Sequence, residues 1–131
     1  PGESEAEFQD LIDFISHARM DAVGVFGYSD EDKTEALTLE NKVPQELINE
    51  RVEHLSTLVD ELIMQRAEER IGERVRVLIE DQELQEGRAD HQGPEVDGST
   101  SIQGRSTYKV GEYVDAIISE VTGVDLVAVP L

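Results

Sequence analysis

The apolar spacing of this chain changes at Gly72, and that change limits the folds open to it. From residue 44 to about residue 70, Ile48, Val52, Leu55, Val59 and Leu62 fall at alternating steps of four and three, which is one face of a helix. From Arg74 the period is two: in RVRVLIE, Val75, Val77 and Ile79 share a face, as alternate side chains of a strand do. YVDAIISEV (113–121) and VDLVAVPL (124–131) read likewise, with Thr122 and Gly123 between them as a turn. GRAD and STSIQG supply two weaker strands. A small closed antiparallel barrel of five strands is expected, because closure removes the exposed edges of such a sheet.

The part before Gly72 reads differently. Ser4 and Glu7 form a capping-box pair, and Phe8, Leu11, Ile12 and Ile15 follow at helical spacing, so a helix is expected to about Met20. The run AVGVFGYS (22–29) is short and apolar, the pattern of a buried strand in a sheet covered on both faces. DEDKTEALTLENK (30–42) is a polar loop, and Pro44 opens the second helix from its favoured first-turn position. The seam on that helix is long enough for two heptads of a coiled-coil dimer. It stops at Arg66, short of the three or more heptads that sustain one, which favours docking on the rest of the chain. The expected class is α+β, with a helix–strand–helix region over 1–70 and a barrel over 71–131.

Charge restricts the partners. Of 131 residues, 11 are Lys or Arg and 30 are Asp or Glu, a net charge of -19. Residues 1–70 hold 6 basic and 18 acidic side chains, and residues 71–131 hold 5 and 12. Such a field repels nucleic acid, whose affinity for proteins rests on cations displacing condensed counterions, and it steers basic partners inward. An acidic surface also keeps a protein soluble without any partner. The chain has no cysteine, so disulfides and thiolate-held metals or iron–sulfur clusters are excluded within it. No apolar run approaches the ~18–20 residues of a membrane helix. The first residue is Pro1, and a processed or excised piece is expected.

Concentrated chemistry is scarce. Asp13/His17 and Glu50/His54 are i,i+4 pairs on polar helix faces, where weak surface pairing is the ordinary outcome. No nucleophile elbow is present, and the glycines at 87, 93 and 98 are followed by neither the lysine nor the helix of a phosphate loop. Residues 87–100, GRADHQGPEVDGST, are the exception: three glycines, a proline, an arginine, a histidine and three acids between two strands. Asp90, Glu95 and Asp97 lack the regular spacing of an EF-hand. Pro94 and the Asp97–Gly98 pair are turn chemistry. Arg88, Asp90, His91, Glu95 and Asp97 form a polar, mostly acidic edge that either docks a basic loop or braces the turn through an Arg88–carboxylate pair. No residue takes a catalytic role.

The stretch EGRADHQGPEVDGST resembles the hallmark region of the TRAM domain in the ribosomal-protein methylthiotransferases, the RimO family, where a strand ending in Gly-Arg precedes a PEVDG-like turn. PGESEAEFQDLIDFI is similar to the segment that opens a late helix of that family's radical-SAM barrel. MDAVGVFGYSDEDKTEA resembles the strand and loop that follow, with Asp32 and Lys33 where the pattern has Glu and Gly. VPQELINERVEHLSTL resembles the helix connecting barrel to TRAM domain. Four motifs in order cover essentially the whole chain.

The resemblance implies a helix–strand–helix remnant of the radical-SAM barrel over 1–70, followed by an OB-like TRAM barrel over 71–131. It implies a cytoplasmic parent enzyme that uses S-adenosylmethionine and two iron–sulfur clusters to methylthiolate an aspartate of the twelfth small-subunit ribosomal protein. On this resemblance the portion present is expected to hold none of those cofactors, to be inactive alone and to recognise the basic protein substrate. Close relatives modify transfer RNA instead; a basic face hidden by the net charge would favour that reading. A stand-alone acidic adaptor is the third alternative.

Overall fold

Helix α1 (Glu5–Ala18) begins where its sequence satisfies the free N–H groups of a first turn. Ser4 Oγ accepts from the Glu7 N–H at 3.3 Å, and the Glu7 carboxylate accepts from the Ser4 N–H at 2.8 Å. The Ser4 N–H foremost, and then the Ser4 hydroxyl donating to the same carboxylate at 2.8 Å, hold the Glu7 carboxyl below its ordinary pKa. The helix ends at Arg19, whose left-handed backbone (φ 52°) stops it. Phe8 and Ile15 are its buried face.

Helix α2 (Gln45–Glu68) starts one residue later than the sequence pattern suggests. The Ile48 N–H donates to the Pro44 carbonyl at 3.0 Å, so Pro44 is the capping residue rather than the first helical one. Leu55 and Val59 are buried within the single chain, and Ile48, Val52 and Leu62 are half-buried. Arg51 stands over the Phe8 ring, 5.0 Å from its centroid, and the ring of His54 meets Phe8 edge-on at 5.9 Å. The Arg51 guanidinium also donates to the Glu3 carbonyl (3.0 Å), the Glu3 carboxylate (2.8 Å) and the Glu5 carboxylate (3.2 Å). One buried cation thus ties the segment before α1 to the first half of α2.

The computed structural model describes residues 1–94 and 96–131, and the chain divides into two compact units, Pro1–Leu62 and Ile63–Leu131. The expected strand over 22–29 does not form: none of those residues pairs in a sheet, and Phe26 is 91% exposed. A strand needs a hydrogen-bonding neighbour, and the first unit offers none among its described residues. The segment instead lies along α2, where a Cβ on Gly27 would approach Ile48 to 2.9 Å. A 3₁₀ turn at Glu35–Thr38 interrupts the polar loop after it. Among the described residues no helix is long and apolar enough to cross a membrane.

The second unit holds the barrel: β1 (Arg74–Asp81), β2 (Glu86–Ala89), β3 (Thr100–Ile102), β4 (Tyr113–Thr122) and β5 (Asp125–Pro130), closed in the order β1-β2-β3-β5-β4. Val75, Val77 and Ile79 of β1 face inward with Val114, Ala116 and Ile118 of β4, Leu126 and Ala128 of β5, and Ala67 of α2. Each fully buried Val, Leu or Ile contributes roughly 1.5–3 kcal/mol.

The barrel is not antiparallel throughout. β3 runs parallel to β5, pairing Thr100 with Leu126 and Ile102 with Ala128. A closed ring with an odd number of strands cannot alternate direction at every seam, so one parallel pair is forced. It falls where the connection from β3 to β4 crosses to the far side of β5.

Candidate functional site

The 90–99 loop joins β2 to β3, and its geometry starts with Gly87 on β2. A Cβ there would lie 1.9 Å from the Leu78 carbonyl oxygen, so only glycine lets β2 approach β1 this closely. One residue on, Arg88 donates from Nε to a Glu80 oxygen on β1 at 2.8 Å, and a terminal nitrogen of the guanidinium lies 2.8 Å from the same oxygen. That hydrogen bond raises the guanidinium pKa further above its ordinary value, keeping Arg88 cationic. Arg88 thus has a partner on the neighbouring strand.

The loop is braced by other groups. The Gly93 N–H donates to the Asp97 carboxylate at 2.7 Å. Gly98 takes a left-handed backbone (φ 78°), and a Cβ there would lie 2.8 Å from the Val124 carbonyl oxygen, which explains the glycine after Asp97. Asp125 accepts from the Ser99 N–H at 2.9 Å. Gln92 is buried, and its carboxamide oxygen accepts from the Ala89 N–H (2.9 Å) and the Thr100 hydroxyl (2.6 Å).

Of the five residues singled out in the sequence, Asp90 is exposed, while Arg88, His91 and Asp97 are half-buried. Glu95 lies outside the described residues. Gln92 and Thr100 had no role in the sequence reading. The signal for Thr100 was its parity with inward-facing Ile102; for Gln92 it was an amide set among charged neighbours.

Beside the loop, a groove of about 370 Å³ is lined by Glu80, Asp81, Glu86, Gly87, Arg88, Gly98, Ser99 and Asp125. Its lining holds four acidic residues and one arginine, which Glu80 binds. A cationic side chain entering the groove gains charge-assisted hydrogen bonds; a phosphate meets repulsion. Arg76 and Tyr113 stack on the outer face of β1 and β4, with the guanidinium 4.8 Å from the ring centroid.

The first unit has its own cavity, about 200 Å³, lined by Phe8, Leu11, Val25, Phe26, Val52 and Leu55 together with Tyr28 and Arg51. At its edge the Tyr28 hydroxyl donates to Asp30 at 2.6 Å, and the Lys42 ammonium binds the same carboxylate. Lys42 and then Tyr28 hold Asp30 below its ordinary pKa, while Asp30 raises both of its partners. Lys33 adopts a left-handed backbone (φ 67°), the conformation glycine takes freely. His17 donates from Nδ1 to the Asp13 carbonyl at 2.6 Å. With no cysteine in the chain, and no group of three His, Asp or Glu suited to a metal among the described residues, the side chains present do not fit an iron–sulfur cluster.

Comparison with known proteins agrees with this anatomy. The family model for the TRAM domain matches residues 71–131. A ribosomal protein uS12 methylthiotransferase RimO of Saccharopolyspora erythraea is 51% identical over 133 residues, covering 100% of this chain and 28% of that protein. Proteins of the same name from Kineococcus radiotolerans and Streptomyces coelicolor are 49% and 47% identical, again along all of this chain and over 29% and 28% of their own length. The chain thus spans less than a third of the curated relatives it matches. It belongs to the RimO family, of which it is the C-terminal region bearing the TRAM domain.

Proposed function

We propose that this chain is the substrate-recognition portion of a uS12 methylthiotransferase, and that the acidic side of its barrel docks a basic segment of uS12. The names of its relatives supply the substrate. The observation that carries the reading is the groove lined by Glu80, Asp81, Glu86 and Asp125 together with Arg88, which Glu80 binds; Asp90 is exposed. Ribosomal proteins are generally basic, and opposite charge raises encounter rates and excludes polyanions. Residues 1–70 are the end of a radical-SAM barrel whose remainder holds S-adenosylmethionine and the iron–sulfur clusters, so the chain alone transfers no methylthio group. The parent acts in the cytoplasm.

A second reading has one observation in its favour. Arg76 stacked on Tyr113, with Arg74 on the same face of β1, resembles the cation–aromatic platforms on which nucleic-acid bases stack. It is the pattern expected of a TRAM domain that grips transfer RNA, but here it is embedded in a barrel with an excess of acids.

Changing Asp90, Glu95 and Asp97 together to Asn, Gln and Asn removes charge while keeping size. Association with purified uS12 is expected to slow about three- to tenfold at low salt, with less effect on dissociation. Unfolding of the barrel with an unchanged association rate would instead assign those acids to bracing alone.

A further inference from the structure

Among the described residues of the 90–99 loop, Gln92 is the buried polar one, 5% exposed. Its side chain touches three separate stretches of backbone or side chain. The carboxamide oxygen accepts from the N–H of Ala89, at the end of β2, and from the hydroxyl of Thr100, at the start of β3. The carboxamide nitrogen reaches the Asp97 carbonyl at 3.4 Å, on the returning limb of the loop. Thr100 is fully buried, so its hydroxyl depends on this amide rather than on water. The Gln92 N–H closes the outgoing limb by donating to the Ala89 carbonyl at 2.9 Å. A group that accepts at one end and donates at the other is needed here. A carboxylate cannot donate to Asp97, and an aliphatic side chain strands the Ala89 and Thr100 donors.

We propose that Gln92 is a positioning residue for recognition of the protein substrate. Buried, it does not meet the partner. It fixes the loop in the shape that presents Asp90 and Val96 to solvent, the acid for a cationic head group and the valine, 77% exposed, for the apolar stem of the same Lys or Arg side chain. This inference rests on the uS12 reading given above.

The test uses the full chain, the variants Gln92→Leu and Gln92→Glu, and purified uS12. Amide-exchange protection at Gly93 and Ser99 reports on the loop, protection at Val77 and Ile118 reports on the barrel, and a titration reports affinity. Gln92→Leu is expected to lower protection at Gly93 and Ser99 by about tenfold, leave Val77 and Ile118 unchanged, and weaken uS12 binding about fivefold. Gln92→Glu keeps the acceptor for Ala89 and Thr100 but turns a second acceptor toward Asp97. Loop protection should fall at neutral pH and recover once the introduced carboxyl is protonated and donates again. That recovery is not expected of a residue that merely fills space. If Gln92→Leu fails to fold, Gln92→Glu decides the matter by the same readouts. A loosened loop with wild-type affinity overturns this inference alone, as does unchanged protection at Gly93 and Ser99. A wild-type chain that does not bind uS12 overturns the functional reading and this inference together.

Discussion

At the scale of single residues, the barrel depends on where backbone meets backbone. Gly87 would carry a Cβ 1.9 Å from the Leu78 carbonyl, whereas Gly111 has nothing within 4 Å and is constrained only by its φ of 88°. Gly87→Ala must therefore push β2 off β1, and a stability loss of about 3 kcal/mol or more is expected. Gly111→Ala should lose only about 1–2 kcal/mol, the strain of a left-handed alanine. Denaturant unfolding of the two variants measures both. Equal losses would show that backbone geometry, not the close approach, accounts for Gly87. The neighbouring Arg88 illustrates the limit of local reading. Its charge and its place on a strand were legible, but its partner Glu80 sits across a sheet register that only the fold supplies.

At the scale of elements, the two units ask different things of their strands. Every barrel strand has two neighbours, while residues 22–29 have none. Amides at 23–28 are expected to exchange at least about a hundredfold faster than those of β1, since few hydrogen bonds must open to expose them. Equal protection in a monomer would contradict the unpaired backbone described for this segment. The same contrast explains what the sequence made legible. The α1 cap could be read because Ser4 and Glu7 satisfy each other within one turn. The five barrel strands could be read because Val75, Val77 and Ile79, and their counterparts in β4 and β5, alternate against a core lying within the same chain. AVGVFGYS has the composition of a buried strand, but pairing depends on a neighbour, and apolar composition carries no information about one. The parallel β3–β5 seam follows from ring parity and strand order, neither of which appears in any single strand. In the candidate site, Asp90 and Asp97 stood out by charge, whereas Gln92 and Thr100 gain their roles from burial and the hydrogen bonds made there.

At the scale of the whole molecule, charge carries the functional account. The net charge is -19, and both 1–70 and 71–131 are acidic, so neither half has a net positive charge to attract a polyanion. The Arg76–Tyr113 pair is a local exception rather than a stripe. Recognition of a basic protein by such a molecule weakens as salt shortens the Debye length, about 10 Å at 0.1 M and about 3 Å at 1 M. The most direct measurement is a pair of titrations of the chain, one with purified uS12 and one with transfer RNA, at matched ionic strength. The account predicts tighter binding to uS12 at low salt, falling as salt is raised, and little or no binding to transfer RNA. Tighter binding to transfer RNA would contradict it and transfer the recognition role to the Arg76–Tyr113 face.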